Sequence, residues 1–171
     1  KNHWEIPSLF ENMRKVGMGA VLVPTVIGGV NDQEVGDIIR FAIKNNDIVR
    51  GVNYQPVSLV GRISKAERER MRITIPDVIG RLDEQTGGMV TKDDFYPVPS
   101  VYSLSEFAGV MSGKPKYELT AHPVCGMATY LFRDGDKMVP ITRFVDVRGL
   151  MDYLSEVSQK VAGGKSKLLM G

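Results

Sequence analysis

One cysteine in 171 residues, Cys125, excludes an internal disulfide, and with only two histidines, His3 and His122, the chain has few soft metal ligands. No apolar run approaches the roughly 18 residues that cross a bilayer as a helix, and no signal-peptide pattern opens the chain. A net charge of +2 is too small to argue for nucleic acid or an anionic membrane surface as a partner. Also missing are HExxH, CxxC, a Ser-His-Asp order, a P-loop and the GxGxxG fingerprint, so the common hydrolytic, redox and nucleotide signatures do not apply. There is no internal repeat and no low-complexity stretch. What remains is ordinary globular composition, 43% hydrophobic and 25% charged, with a reducing, cytoplasmic setting as the default.

The pattern along the chain predicts βα alternation at its start. Leu9, Phe10, Met13 and Val16 recur at helical spacing, with Gly17 and Gly19 ending the helix. Ala20 to Val26 is a β-branched apolar run of the kind buried on both faces of a parallel sheet, and the missing N–H of Pro24 predicts a break there. Gly28-Gly29 turns the chain into Asn31-Asp32, good N-cap residues, before a helix with Val35, Ile38, Ile39 and Ala42 on one face. Asp47 to Tyr54 reads as the next strand. Helix, strand, helix and strand joined by short links point to a parallel sheet or barrel.

The character changes after residue 61. Ser64 and Glu67 form a capping-box pair opening a charged helix to about Met71. Thr74-Ile75-Pro76-Asp77 starts another, with Val78, Ile79 and Leu82 inward and Gly87-Gly88 at its end. Residues 91–102 read as an irregular connection, and Leu104 to Met111 as a short helix capped by Ser103 or Ser105. Tyr117–Thr120 and Ala128–Phe132 read as strands, and Asp134-Gly135-Asp136 as a hairpin turn before Met138–Phe144. Asp146 caps a closing helix with an inner stripe of Leu150, Leu154, Val157 and Val161. The expected domains are therefore 1–62 and 63–171, the second a mixed α+β extension.

Ligands of parallel α/β folds bind where the βα loops gather, at the carboxyl ends of strands. Two loops qualify here: residues 25–32, with Asn31, and residues 53–58, with Asn53 and Gln55. A capping role for Asn31 and a turn role for the glycines compete evenly with ligand contact. His122 and Cys125, three residues apart on a Pro/Gly bend, form a candidate metal pair, but residue type alone favours a buried free cysteine beside a turn histidine, because a closed site needs about four donors. Asp93, Asp94 and Glu84 read as a solvated face.

The stretch LVPTVIGGVNDQEVGDIIRFAI (22–43) contains a V-x-x-G-x-N-D-x-E step at Val26, Gly29, Asn31, Asp32 and Glu34. It continues through VRGVNYQPVSLVGR (49–62), TIPDVIGRLDEQTGG (74–88), DDFYPVP (93–99) and AHPVCGMATYLF (121–132). Over nearly its whole length this sequence resembles radical S-adenosylmethionine (SAM) proteins, in the archaeal branch with tetraether-lipid synthase and the pterin-methylating enzymes, and the first step resembles molybdenum-cofactor biosynthesis protein A. The resemblance implies a partial (β/α) barrel made of its later strands, followed by an extension. It implies a parent enzyme with SAM and a [4Fe-4S] cluster on a CxxxCxxC motif, acting on a small-molecule or lipid substrate. With one cysteine that motif is absent, so the chain reads as a C-terminal fragment whose partner is the missing N-terminal half, with neither cofactor expected on the fragment alone. SAM contacts are then expected at Asn31, Asn53 and Gln55 and at the backbone near Val26 and Pro56, an accessory iron at Cys125 with His122, and self-association of the uncovered chain. The competing reading is a self-contained ligand-binding, metal-binding or interaction module without catalysis.

Overall fold

The computed structural model describes residues 3–114 and 126–162. They form two compact units, Lys1–Gly88 and Met89–Gly171, each described by itself. The expected strand at Tyr117–Thr120 lies outside the described residues.

In the first unit, helix α1 (Ile6–Val16) leads to strand β1 (Ala20–Leu22) and its short continuation β2 (Thr25–Val26). Helix α2 (Val35–Lys44) follows, then β3 (Val49–Val52) and β4 (Gln55–Pro56). Both strand pairs are parallel, β1 on β3 and β2 on β4, with Thr25 opposite Gln55 and Val26 opposite Pro56. The two pairs are one ladder with a fault in it. The N–H groups of Asn53, Gln55 and Val57 donate in turn to the carbonyls of Leu22, Pro24 and Val26, at 2.8, 2.9 and 2.9 Å. Pro24 still accepts a bond but has none to donate, which is why the strand breaks there.

Phe10 and Met13 of α1 and Ala42 of α2 meet Ile48 and Val49 in one apolar cluster, with Ala20, Leu22 and Val52 against it. Each fully buried large side chain contributes roughly 1.5–3 kcal/mol. Burial corrects two expectations. Leu9 and Val16 are 54% and 71% exposed, so α1 turns only Phe10 and Met13 inward. Val21 and Val23 are each 59% exposed, so this strand is covered on one face and not on both.

Helices α3 (Lys65–Met71) and α4 (Ile75–Thr86) complete the unit, each opened by a capping box, Ser64 with Glu67 and Thr74 with Asp77. Val78, Ile79 and Leu82 of α4 are buried, as their spacing predicts. α4 lies close against α2 because residue 36 is glycine: a Cβ there would stand 2.6 Å from Cβ of Gln85. Gln85 joins the helices by accepting from Gly36 N–H (2.9 Å) and donating to the Asp32 carbonyl (2.8 Å).

The second unit contains β5 (Tyr96–Pro97), α5 (Val101–Ser112), β6 (Met127–Ala128), the hairpin β7 (Leu131–Asp134) and β8 (Lys137–Pro140), and α6 (Val147–Ala162). Val147, Met151 and Leu154 form its buried centre, with Tyr96, Leu104, Phe107, Ile141 and Leu150 packed around them. Asp134 pairs with Lys137 across the two-residue turn Gly135-Asp136, as expected. Helix α5 begins three residues earlier than Leu104, straight out of a 3-10 turn at Val98–Ser100, so Ser103 and Ser105 lie inside it and not at its N-terminus. Ala128–Phe132 is two strands because its halves have different partners, β6 on β5 and β7 on β8. The returning strand ends at Pro140 and not at Phe144, because after one more bond, from the Ile141 N–H to the Tyr130 carbonyl (2.9 Å), the chain winds into a 3-10 turn at Ile141–Arg143.

Candidate functional site

The loop between β2 and α2 is built by its own polar groups. Asn31 accepts from Ile27 N–H through Oδ1 (2.8 Å) and donates through Nδ2 to the Thr25 carbonyl (2.9 Å). Its amide therefore ties the loop to the end of β2 and makes no cap bond to the helix that follows. Asp32 accepts from Gly29 N–H at 2.8 Å, and Gly29 adopts φ 68°, where a side chain is strained. Gly28 donates to the Met71 carbonyl at 3.0 Å, and a Cβ on it would stand 3.0 Å from the Arg72 carbonyl. The glycine turn is thus pressed against the link between α3 and α4.

Beside that contact lies a solvent-open cavity of about 580 Å³, within the size range of small-molecule sites. Gly28, Gly29 and Asp32 form one wall; Arg70, Arg72 and Ile73, with Pro76, Asp77, Gly80, Arg81 and Glu84, form the other. Arg81 Nε lies 3.2 Å from the Asp32 carboxylate, and another of its nitrogens lies 3.4 Å from Glu84. Asp77 turns back on Thr74, accepting from its N–H at 2.8 Å. The Thr74 hydroxyl bond comes first in holding the Asp77 carboxyl below its usual range, followed by that N–H and by the nearby charges of Arg72 and Arg81. Neither Arg70 nor Arg72 forms a side-chain hydrogen bond or ion pair among the described residues.

The other expected site residues are spread differently. Asn53 and Gln55 are exposed just beyond β3 and in β4, and their side-chain amides are not engaged among the described residues. They stand at the carboxyl end of the parallel pair, and Gln55 faces the strand to which Asn31 is tied. Pro56 is half-buried opposite Val26. Val26 is 1% exposed, its side chain in the core and its carbonyl bonded to Val57 N–H at 2.9 Å. None of Asn31, Asn53, Gln55 and Pro56 lines the arginine cavity. His122 and Cys125 lie outside the described residues, and among the described residues no three His, Cys, Asp or Glu side chains are grouped to hold a metal.

Asp94 corrects the reading of a solvated face. It is 3% exposed and accepts from Thr91 N–H and Thr91 Oγ1 (2.8 and 3.0 Å), Thr142 Oγ1 (2.7 Å), and Arg143 Nε and Nη2 (3.2 and 2.8 Å). Burial pushes its pKa up, but the Arg143 guanidinium and the Thr91 and Thr142 donors outweigh that and hold the carboxyl well below its ordinary range. Nothing here resembles a proton-transfer group: the carboxylate is locked into structure.

The first unit therefore consists of βα pieces with parallel pairing, polar loops at the carboxyl ends of the strands and an arginine-lined cavity beside them, an arrangement suited to holding a small molecule. A curated protein of Methanocaldococcus jannaschii described as 7,8-dihydro-6-hydroxymethylpterin dimethyltransferase is 48% identical to this chain over 162 residues. The match covers 94% of the chain but 32% of that protein, so the chain spans about a third of its relative's length. No protein-family model matches the chain. No helix among the described residues is long and apolar enough to cross a membrane.

Proposed function

We propose that the chain is one portion of a longer radical SAM enzyme that methylates a pterin-class substrate, and that its βα loops form part of the wall of the substrate and SAM pocket. The observation that carries the reading is the 48% identity to a pterin dimethyltransferase over almost the whole chain. The parallel pairing of β1 with β3 and of β2 with β4 supports treating the first unit as later strands of a partial (β/α) barrel. Asn53 and Gln55, with amides not engaged among the described residues, offer polar contacts at the carboxyl ends of those strands.

The residues present do not fit the iron-sulfur cluster that such an enzyme requires. A single cysteine cannot supply the three thiolates of a CxxxCxxC motif, so the cluster belongs to the remainder of the longer protein. SAM, when bound, supplies the alkyl group or radical precursor; this chain's residues contribute binding, orientation and exclusion of water.

The test is complementation. The 171-residue chain, treated with iron, sulfide and reductant, should release no 5′-deoxyadenosine from SAM. Adding the remaining portion of the longer enzyme as a separate chain should restore methylation of 7,8-dihydro-6-hydroxymethylpterin. Release of 5′-deoxyadenosine by the chain alone would overturn the division of labour, and a remaining portion fully active without the chain would overturn its place in the pocket.

A further inference from the structure

We infer that the cavity between the Gly28-Gly29 turn and helices α3 and α4 binds a phosphate-class oxyanion of a small ligand, gripped by Arg70 and Arg72 over the open face of Gly80. The first argument is charge. Six ionisable side chains line the cavity, and four are already engaged with neighbours: Arg81 with Asp32 and Glu84, and Asp77 with Thr74. The acids are thus satisfied by protein partners, which disfavours a cation. The two guanidinium groups left over, Arg70 and Arg72, form no side-chain hydrogen bond or ion pair among the described residues. Two forked donors suit an oxyanion with three or four acceptor oxygens better than a carboxylate with two. The turn itself does not compete for this role. The N–H groups of Gly28 and Gly29 are committed to Met71 and Asp32, so the arginines, and not a backbone nest, are the donors.

The second argument is independent of charge. Gly80 sits mid-way along α4, where glycine costs about 1 kcal/mol relative to alanine. Its φ is ordinary and a Cβ built on it would meet nothing within 4 Å, so neither turn geometry nor helix packing explains it. It lines the cavity, and the space that a Cβ would occupy is room for a ligand. Arg81, one residue on, is held by Asp32 on the opposite wall and so acts as a positioning residue, keeping α4 at a fixed distance from the glycine turn.

The experiment titrates the 171-residue chain with inorganic pyrophosphate by calorimetry, beside three variants. Arg70→Gln with Arg72→Gln should weaken binding by about tenfold or more, the loss of two charge-assisted contacts. Arg62→Gln, an exposed arginine outside the cavity, controls for charge alone and should bind within about twofold of the parent. Gly80→Ala should raise the melting temperature and weaken binding together, a pairing that a merely structural glycine would not give. The inference is overturned if pyrophosphate does not saturate, if Arg62→Gln costs as much as the double variant, or if Gly80→Ala stabilises the chain and leaves affinity unchanged.

Discussion

Asp94 shows how far a single side chain can depart from what its neighbours in sequence announce. Asp93, Asp94 and Glu84 read as a solvated face, yet Asp94 alone of the three is buried, and its partners Thr142 and Arg143 lie 48 and 49 residues away. No local pattern encodes such a pairing. Its carboxyl has a lowered folded-state pKa, so it contributes stability that is complete above the unfolded value, near pH 4, and is lost as pH falls toward the folded value. Asp94→Asn should therefore lower stability by roughly 2–3 kcal/mol at neutral pH, through loss of charge-assisted bonds that hold Thr91, Thr142 and Arg143. Urea midpoints measured from pH 6 downward should converge for the variant and the parent in acid; a gap that stays constant would mean that the charge is not what matters. Asn31 is legible in a different way. Its residue type announces a local backbone contact, but whether that contact is a helix cap or a strand tie depends on geometry that type alone leaves open. Arg70, in a charged helix, and Arg72, just past its end, were hidden by a setting where arginine is ordinarily solvated. The interior Gly80 was the available signal, since a glycine within a helical pattern wants a reason.

At the scale of elements, the capping boxes were legible because both partners lie within one turn, and so was the Gly135 hairpin. Strand lengths were not, because they depend on which neighbour each segment finds. Ala128–Phe132 divides between two partners, and a run of β-branched residues cannot tell how many of its faces will be covered. The two capping boxes also make a contrast that can be measured. Helix α4 buries Val78, Ile79 and Leu82, whereas α3 buries none of its residues. Thr74→Ala should lower the global urea midpoint by the equivalent of about 1 kcal/mol, and Thr74→Ser should recover most of it. Ser64→Ala removes a bond of the same kind, but α3 contributes little to the core, so its effect should appear as faster amide exchange confined to residues 65–71 with the midpoint almost unchanged. A global loss from Ser64→Ala equal to that from Thr74→Ala would contradict the view that packing, and not the cap, couples a helix to the fold.

For the whole molecule the telling quantity is what stays uncovered. Parallel strands are ordinarily buried on both faces, and two-stranded sheets are marginal without further cover. Here Val21 and Val23, two residues apart and so on one face of the strand, are each 59% exposed, with Met18 at 58% close by in sequence. A chain spanning 32% of its relative's length is consistent with cover supplied by the rest of a longer protein. Without that cover the apolar strand face should find a substitute, and the 171-residue chain alone is expected to self-associate as its concentration rises. Val21→Thr with Val23→Thr keeps the β-branched shape while making the exposed face polar, so it should shift the chain toward monomer and leave its circular dichroism unchanged. Sedimentation velocity across a tenfold or greater concentration range reads both arms. A parent chain that sediments as a monomer throughout, or a double variant that associates as strongly as the parent, would show that this strand face is not the surface waiting for cover.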